Sequence, residues 1–315
     1  MSPTDPMRGW GGIRAQVRRR GRRIRGDRAL SEGFRLTGRS FEELRRIARE
    51  IGCGVIATTT AAGSGHPGGS LSIKEVLSVL LFRVMRHDPR NPAWPGRDRL
   101  VLSKGHAAPA LYAALALAGY IDREELYGLR RLGSRLGGHP DYDPGIAVEA
   151  STGALGNGFA MAAGMALAAK MEGSRYRVFA LLGDGELQEG IVWEAAMFAA
   201  HHRLDNLVAV VDRNGLQLDG AVENILSVEP LAEKWRAFGW LVAEADGNDV
   251  ESVSEAIEGL LRRAGRPKVL IAHTEKGASS SIMRWNPDYH GKVLRREQCE
   301  EYLRENGCEG WRCGP

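Results

Sequence analysis

The chain has 315 residues, a formal net charge of +4 and a hydrophobic share of 43%, which is ample for a core. No apolar run approaches the ~18 residues that span a membrane, and the N-terminus lacks the apolar segment of a secretory signal. Residues 1–28 hold nine arginines and two aspartates, so they carry about +7 and the rest of the chain is near −3; the body is not a basic nucleic-acid binder.

Residues 1–35 are rich in like charge and poor in apolar side chains, so a disordered tail is expected, with 36–315 as one domain. The tail either touches anionic surfaces or is a passive extension. Ser40 followed by Glu43 reads as a capping box, opening a helix over residues 41–61. Ala62-Gly63-Ser64-Gly65-His66-Pro67-Gly68-Gly69-Ser70-Leu71-Ser72 reads as a loop whose backbone approaches something closely. A helix over 72–85 follows, with Ser72 as its N-cap, then a Pro-rich loop over 87–98. Residues 99–102 are a short strand that ends in Ser103-Lys104-Gly105-His106. His106 thereby opens a helix over 107–118, where backbone N–H groups favour anions. A short helix over 122–130 leads to Leu136-Gly137-Gly138-His139-Pro140. After an irregular stretch, a Gly-rich turn over 153–158 enters an Ala- and Gly-rich helix over 159–171.

Residues 177–182 and 207–211 are apolar runs suited to buried strands, and 191–200 carry helical apolar spacing between them. That is one β-α-β unit with parallel strands. Asp184 and Asn214 then lie just past the carboxyl ends of neighbouring strands, where open parallel sheets bind ligands. A carboxylate and an amide oxygen are hard ligands, and Mg²⁺ takes about six such oxygens, sharing them with phosphate and water. Gly183 and Gly185 allow close approach of a diphosphate. Helices over 230–238, 250–264 and 295–305 and strands over 240–243 and 268–273 complete the chain. The alternation indicates an α/β fold: a doubly wound, mostly parallel sheet with helices on both faces. Cys53, Cys299, Cys308 and Cys313 form no C-x-x-C pair, so a reduced thiol population in the cytoplasm is expected.

Several motifs occur in one order: Ser64-Gly65-His66-Pro67-Gly68, Leu102-Ser103-Lys104-Gly105-His106, Gly138-His139-Pro140, Gly153-Ala154-Leu155-Gly156, Gly183-Asp184-Gly185-Glu186 and Tyr289-His290-Gly291. Over residues 40–305 the chain resembles the N-terminal, thiamine-diphosphate-binding portion of transketolases. The resemblance implies that Asp184, Asn214 and the Leu216 carbonyl bind Mg²⁺ or Ca²⁺. It implies that His106, Gly153, Leu155, Gly185, Asn214 and Lys276 contact thiamine diphosphate, with Gly69 approaching it. His66, His139 and His290 would face the substrate hydroxyls and the thiazolium, His106 and His290 serving both catalysis and cofactor binding. Glu189 would stand with the cofactor set at the dimer interface. The pyrimidine-binding and C-terminal domains of that family have no counterpart here. The resemblance therefore implies the N-terminal subunit of a split, two-chain enzyme, an α₂β₂ assembly with a partner chain that supplies those domains. It would move a two-carbon ketol unit from a ketose (phosphate) donor to an aldehyde. The alternatives are a subunit that loads an unusual acceptor in specialised metabolism and a non-catalytic, metal-diphosphate-binding partner. Residues 277–289 depart from the family by lacking the second basic residue of its Lys-Gly-Lys-Gly pattern.

Overall fold

The computed structural model describes residues 38–314, so the arginine-rich tail lies outside the described residues. The first helix, α1 (Phe41–Ala62), begins with the expected capping box. Glu43 N–H donates to Ser40 Oγ at 3.2 Å, and Ser40 N–H donates to Glu43 Oε2 at 2.7 Å. Two of the helix's orphan donors are thereby satisfied. From Ile51 to Thr59 every residue is buried, so the second half of α1 is a core helix rather than an amphipathic one.

The stretch 62–72 is not all loop: Pro67–Leu71 forms a short helix, α2, with proline in its first turn, where a missing N–H costs nothing. Ser72 does not cap the helix that follows. The next helix, α3 (Lys74–Val79), starts after Ile73 and widens into a π-helical turn over Leu80–Val84. The strand β1 (Arg99–Leu102), the helix α4 (Ala108–Ala118), the helix α5 (Asn157–Glu172) and the strand β2 (Val178–Gly183) follow as read, within a few residues. Residues 122–130 give only a 3₁₀ turn, Glu124–Gly128. The unit β2–α6 (Gly190–His201)–β3 (Leu207–Arg213) is present and parallel, with Gly183 opposite Asp212. A small hairpin, β4 (Leu216–Gln217) with β5 (Gly220–Ala221), and the helix α7 (Val222–Leu226) were not legible in the sequence. The remaining elements are α8 (Leu231–Ala237), β6 (Leu241–Asp246), α9 (Val250–Leu261), β7 (Lys268–His273) and α10 (Arg296–Glu305).

The main sheet has the order β1-β2-β3-β7-β6, all parallel. Strand alternation sends residues to two cores. Phe179, Leu181, Val208 and Val210 join a cluster with α1, α3, α4, α9 and α10. Val178, Ala180, Leu182 and Val211 join a second cluster with α5, α6 and α8. Helices therefore cover both faces, and every carboxyl strand end opens on the same edge.

The expectation of free thiols is corrected. Cys53 pairs with Cys308 and Cys299 with Cys313, leaving no free cysteine among the described residues. The cause is the return of the C-terminal segment over α1. Gly54 has no side chain, and a Cβ there would stand 2.8 Å from the Trp311 ring. Trp311 packs into that gap, donates Nε1–H to Glu50 at 2.9 Å and lies under Arg123. Cysteines 255 residues apart thus reach a Cα separation of 5.8 Å.

Candidate active site

Four histidines meet at the carboxyl edge. His66 comes from the turn before α2, His106 from the 3₁₀ turn before α4, His139 from the loop after residue 130, and His290 from the turn after β7. The His66 ring centroid lies 5.5 Å from His106, 6.0 Å from His139 and 5.4 Å from His290, and His106 lies 5.2 Å from His290. Burial, reinforced by nearby cations, holds His66 and His290 down at about 4. Burial first and Lys104 next hold His106 well below the ordinary imidazole range. His139, exposed at the rim, is also lowered by burial and by Arg130. At neutral pH all four are therefore uncharged imidazoles, able to donate from one nitrogen and accept on the other. His66 Nδ1 is buried without a hydrogen-bond partner, and a polar ligand at this edge would satisfy it.

The oxygen-rich part of the site lies between β2, β3 and the hairpin. Asp184, 2% exposed, accepts Gly215 N–H at 2.6 Å and Gly185 N–H at 2.9 Å, with Arg213 at 3.5 Å. Burial and the neighbouring Asp212 nevertheless push its carboxyl up to about 6. Its negative charge is under-compensated, so a cation would be welcome. Asn214 Oδ1 accepts only the Leu216 N–H, at 3.1 Å. The Leu216 carbonyl accepts the Lys276 ammonium at 3.1 Å, and that ammonium also lies 2.9 Å from His290 Nδ1. A positive group thus already sits at one of the three oxygens assigned to a metal. One carboxylate, one amide oxygen and one carbonyl suit a hard divalent cation that completes its shell with diphosphate and water. Among the described residues no group of three or more His, Cys, Asp or Glu side chains is arranged for a metal. Burial lowers the Lys276 ammonium to about 8.

The glycine turns carry the rest of the cradle. A Cβ on Gly69 would stand 3.3 Å from His106 Nε2, and one on Gly153 would stand 3.5 Å from the His139 ring. Gly156 has φ +81, and a Cβ there would strike Ile191 at 2.4 Å, so no other residue fits. Leu155 is half-buried in the same turn, and Gly185 faces Gln217. Glu189 is exposed at the start of α6, beside the Gly156 turn.

Two buried carboxylates escaped the sequence reading. Glu186, 2% exposed, accepts Gly183 N–H at 3.0 Å, Gly156 N–H at 2.8 Å and the Ser103 hydroxyl. It thereby ties three glycine-bearing or histidine-bearing loops together. The available signal was an acidic residue directly after Gly183-Asp184-Gly185 in an otherwise apolar surrounding. Asp212 lies near the end of β3, directly after its apolar run, and nothing local marks it.

The comparisons with known proteins agree with this geometry. A family described as "Transketolase, thiamine diphosphate binding domain" matches residues 45–312. The 6-deoxy-6-sulfo-D-fructose transketolase subunit SqwG of Clostridium sp. (strain MSTE9) is 47% identical over 79% of this chain and 90% of its own length. An apulose-4-phosphate transketolase subunit of Actinobacillus succinogenes is 42% identical over 84% of this chain and 96% of its own. The solved transketolase from Leishmania mexicana superposes with a TM-score of 0.78 at 31% identity, over 84% of this chain and 41% of that one. The chain thus spans about two-fifths of the solved transketolase but nearly the whole of the subunit relatives. By that match and those identities, the chain belongs to the transketolase family, as its thiamine-diphosphate-binding domain.

Proposed function

We propose that the chain is the N-terminal subunit of a two-chain transketolase, moving a two-carbon ketol unit from a ketose donor to an aldehyde acceptor. The observation that carries this reading is the set of four uncharged histidines beside an under-compensated carboxylate on the carboxyl edge of the sheet. Thiamine diphosphate, when bound, supplies the electron sink that ketol transfer requires. Asp184, Asn214 Oδ1 and the Leu216 carbonyl would hold Mg²⁺ and, through it, the diphosphate. Lys276 and His106 would meet the diphosphate oxygens, against the close backbone of Gly69, Gly153, Leu155 and Gly185. His66, His139 and His290 would orient the sugar hydroxyls, take a hydroxyl proton as a carbonyl forms and return it in the reverse sense. The relatives' names point to sugars that carry phosphate or sulfonate as the substrate class.

The partner follows from the same reading. The relatives are named as subunits, and α5 and α6 expose Met161, Met171, Met197 and Phe198. Apolar side chains grouped on neighbouring helices mark an interface. We assign them to an α₂β₂ assembly with a chain that covers the pyrimidine end of the cofactor. We place the enzyme in the cytoplasm, where burial of the disulfide cysteines would shield them from exchange. A ketol-transfer assay on this chain, on the second chain and on their mixture tests the proposal. Turnover only in the mixture is expected, with about a hundredfold loss for His66→Ala. Full turnover by this chain alone, or none by the mixture, would overturn it.

A further inference from the structure

Beneath the cradle lies a buried carboxylate whose side-chain bonds reach four segments of the site. Asp212 is fully buried. Its Oδ2 accepts Lys104 Nζ at 2.5 Å, the Ser72 hydroxyl at 2.7 Å and Asn214 Nδ2 at 2.6 Å. Its Oδ1 accepts the Thr274 hydroxyl. Lys104, 1% exposed, also donates to the Gly69 carbonyl at 2.8 Å. The four donors sit on four segments. Ser72 follows the helix bearing Gly69, Lys104 lies two residues before His106, Thr274 lies two before Lys276, and Asn214 is the amide ligand itself.

We propose that Asp212 is a positioning residue for the metal: it fixes which end of the Asn214 amide faces the cation. This rests on the metal site proposed above. The oxygen and nitrogen of a primary amide have nearly the same shape, so neighbours decide its orientation. An ionised carboxylate only accepts. Asp212 therefore takes the NH₂ end of Asn214 and rejects the flipped rotamer, which would set oxygen against oxygen. The amide oxygen is left pointing away, holding one lone pair for Leu216 N–H and the other for a cation. The Lys104 ammonium matches the Asp212 charge inside the core, where an unpaired ion is costly. An amide at position 212 would keep its oxygen towards Lys104 and Ser72 and would still select the NH₂ end of Asn214, whereas an apolar side chain of similar size would tolerate either orientation.

That logic predicts a rescue. Asp212→Leu should weaken binding of Mn²⁺ with thiamine diphosphate, read by electron paramagnetic resonance of the free ion, by about 10- to 100-fold, the usual effect of losing an outer partner. D212L/N214D should regain most of that affinity, because a carboxylate at 214 presents oxygen whichever way it turns. Thermal melting without metal is read alongside. If D212L alone does not fold, D212L/N214D is compared with K104M/D212L, which removes the buried cation but keeps the amide free to flip; metal binding by the first and not the second is expected. D212L that binds Mn²⁺ like the wild type, equal binding by the two double variants, or charge-balanced variants that do not fold would each overturn the inference. A wild-type chain that binds no Mn²⁺ overturns the metal site itself and this inference with it.

Discussion

The two edges of the main sheet both hold buried ions, but they treat them differently. At the amino edge the charges are closed off by protein. Asp98 accepts Arg86 Nη2 and Arg177 N–H, each at 2.8 Å, and Arg86 N–H at 2.9 Å. Glu149 lies between Arg97 and Arg99. Lys268 donates to the carbonyls of Asp205 at 2.6 Å and Arg266 at 3.2 Å. At the carboxyl edge the closure is partial. Asp184 is pushed up to about 6, His66 Nδ1 has no partner, and the Lys276 ammonium rests on the Leu216 carbonyl and a histidine. Parallel strands end in loops that can diverge around a ligand. The amino edge uses its charges to hold the strands, and the carboxyl edge leaves capacity for something that is not protein.

If that contrast is right, mutations at the two edges should fail in different assays. The largest effect is expected for Asp184→Ala. Calorimetry with Mg²⁺ and thiamine diphosphate should show binding lost beyond the roughly 100-fold cost of an outer partner, in a chain that still folds and melts cooperatively. Retained affinity would mean that the carboxyl edge does not hold the metal.

Asp98→Ala is the mirror experiment. It strips Arg86 of its buried partner and should cost about 3–5 kcal/mol of unfolding free energy, read by urea denaturation. Metal affinity measured well below the transition should not change. A reversed pattern, stable but non-binding, would show the edges to be one coupled unit.

A smaller loss is expected at the C-terminal clasp. Replacing Cys53 and Cys308 together by serine releases the longer of the two covalent loops and should cost about 2–4 kcal/mol. Thiol titration of the denatured wild type should find none of the four cysteines free. Unchanged stability in the double variant would mean that Trp311 and Glu50 hold the segment by themselves.

The gentlest probe is pH. His66 and His290 titrate at about 4 in the folded chain and near 6.5 when unfolded. Between those values the unfolded state binds more protons, so stability must fall as pH drops from about 6.5 towards 4. Urea midpoints taken across that window should decline, and H66A/H290A should flatten the decline. An equally steep slope in the variant would assign it to other groups.

Much of this was legible in the chain because it is local. Apolar period and glycine punctuation place the five strands of the main sheet and most of the longer helices within a few residues, and Ser40 with Glu43 closes its own cap. The parallel β2–α6–β3 unit then dictates that Asp184 and Asn214 share an edge. His106 and His290 follow because the loops after β1 and β7 share that edge, whereas His66 and His139 lie on segments that follow helical elements and are brought there by packing. Tertiary structure alone decided the rest. Asp212 has the sequence context of a strand residue, and its partners Ser72 and Lys104 lie 140 and 108 positions away. Cys53 and Cys308 meet because Gly54 admits Trp311, a packing event that no spacing rule contains. Hydrogen bonds and disulfides act over a few ångströms in space, whereas sequence patterns report neighbours along the chain; which distant groups come within that reach is settled only when the two cores close.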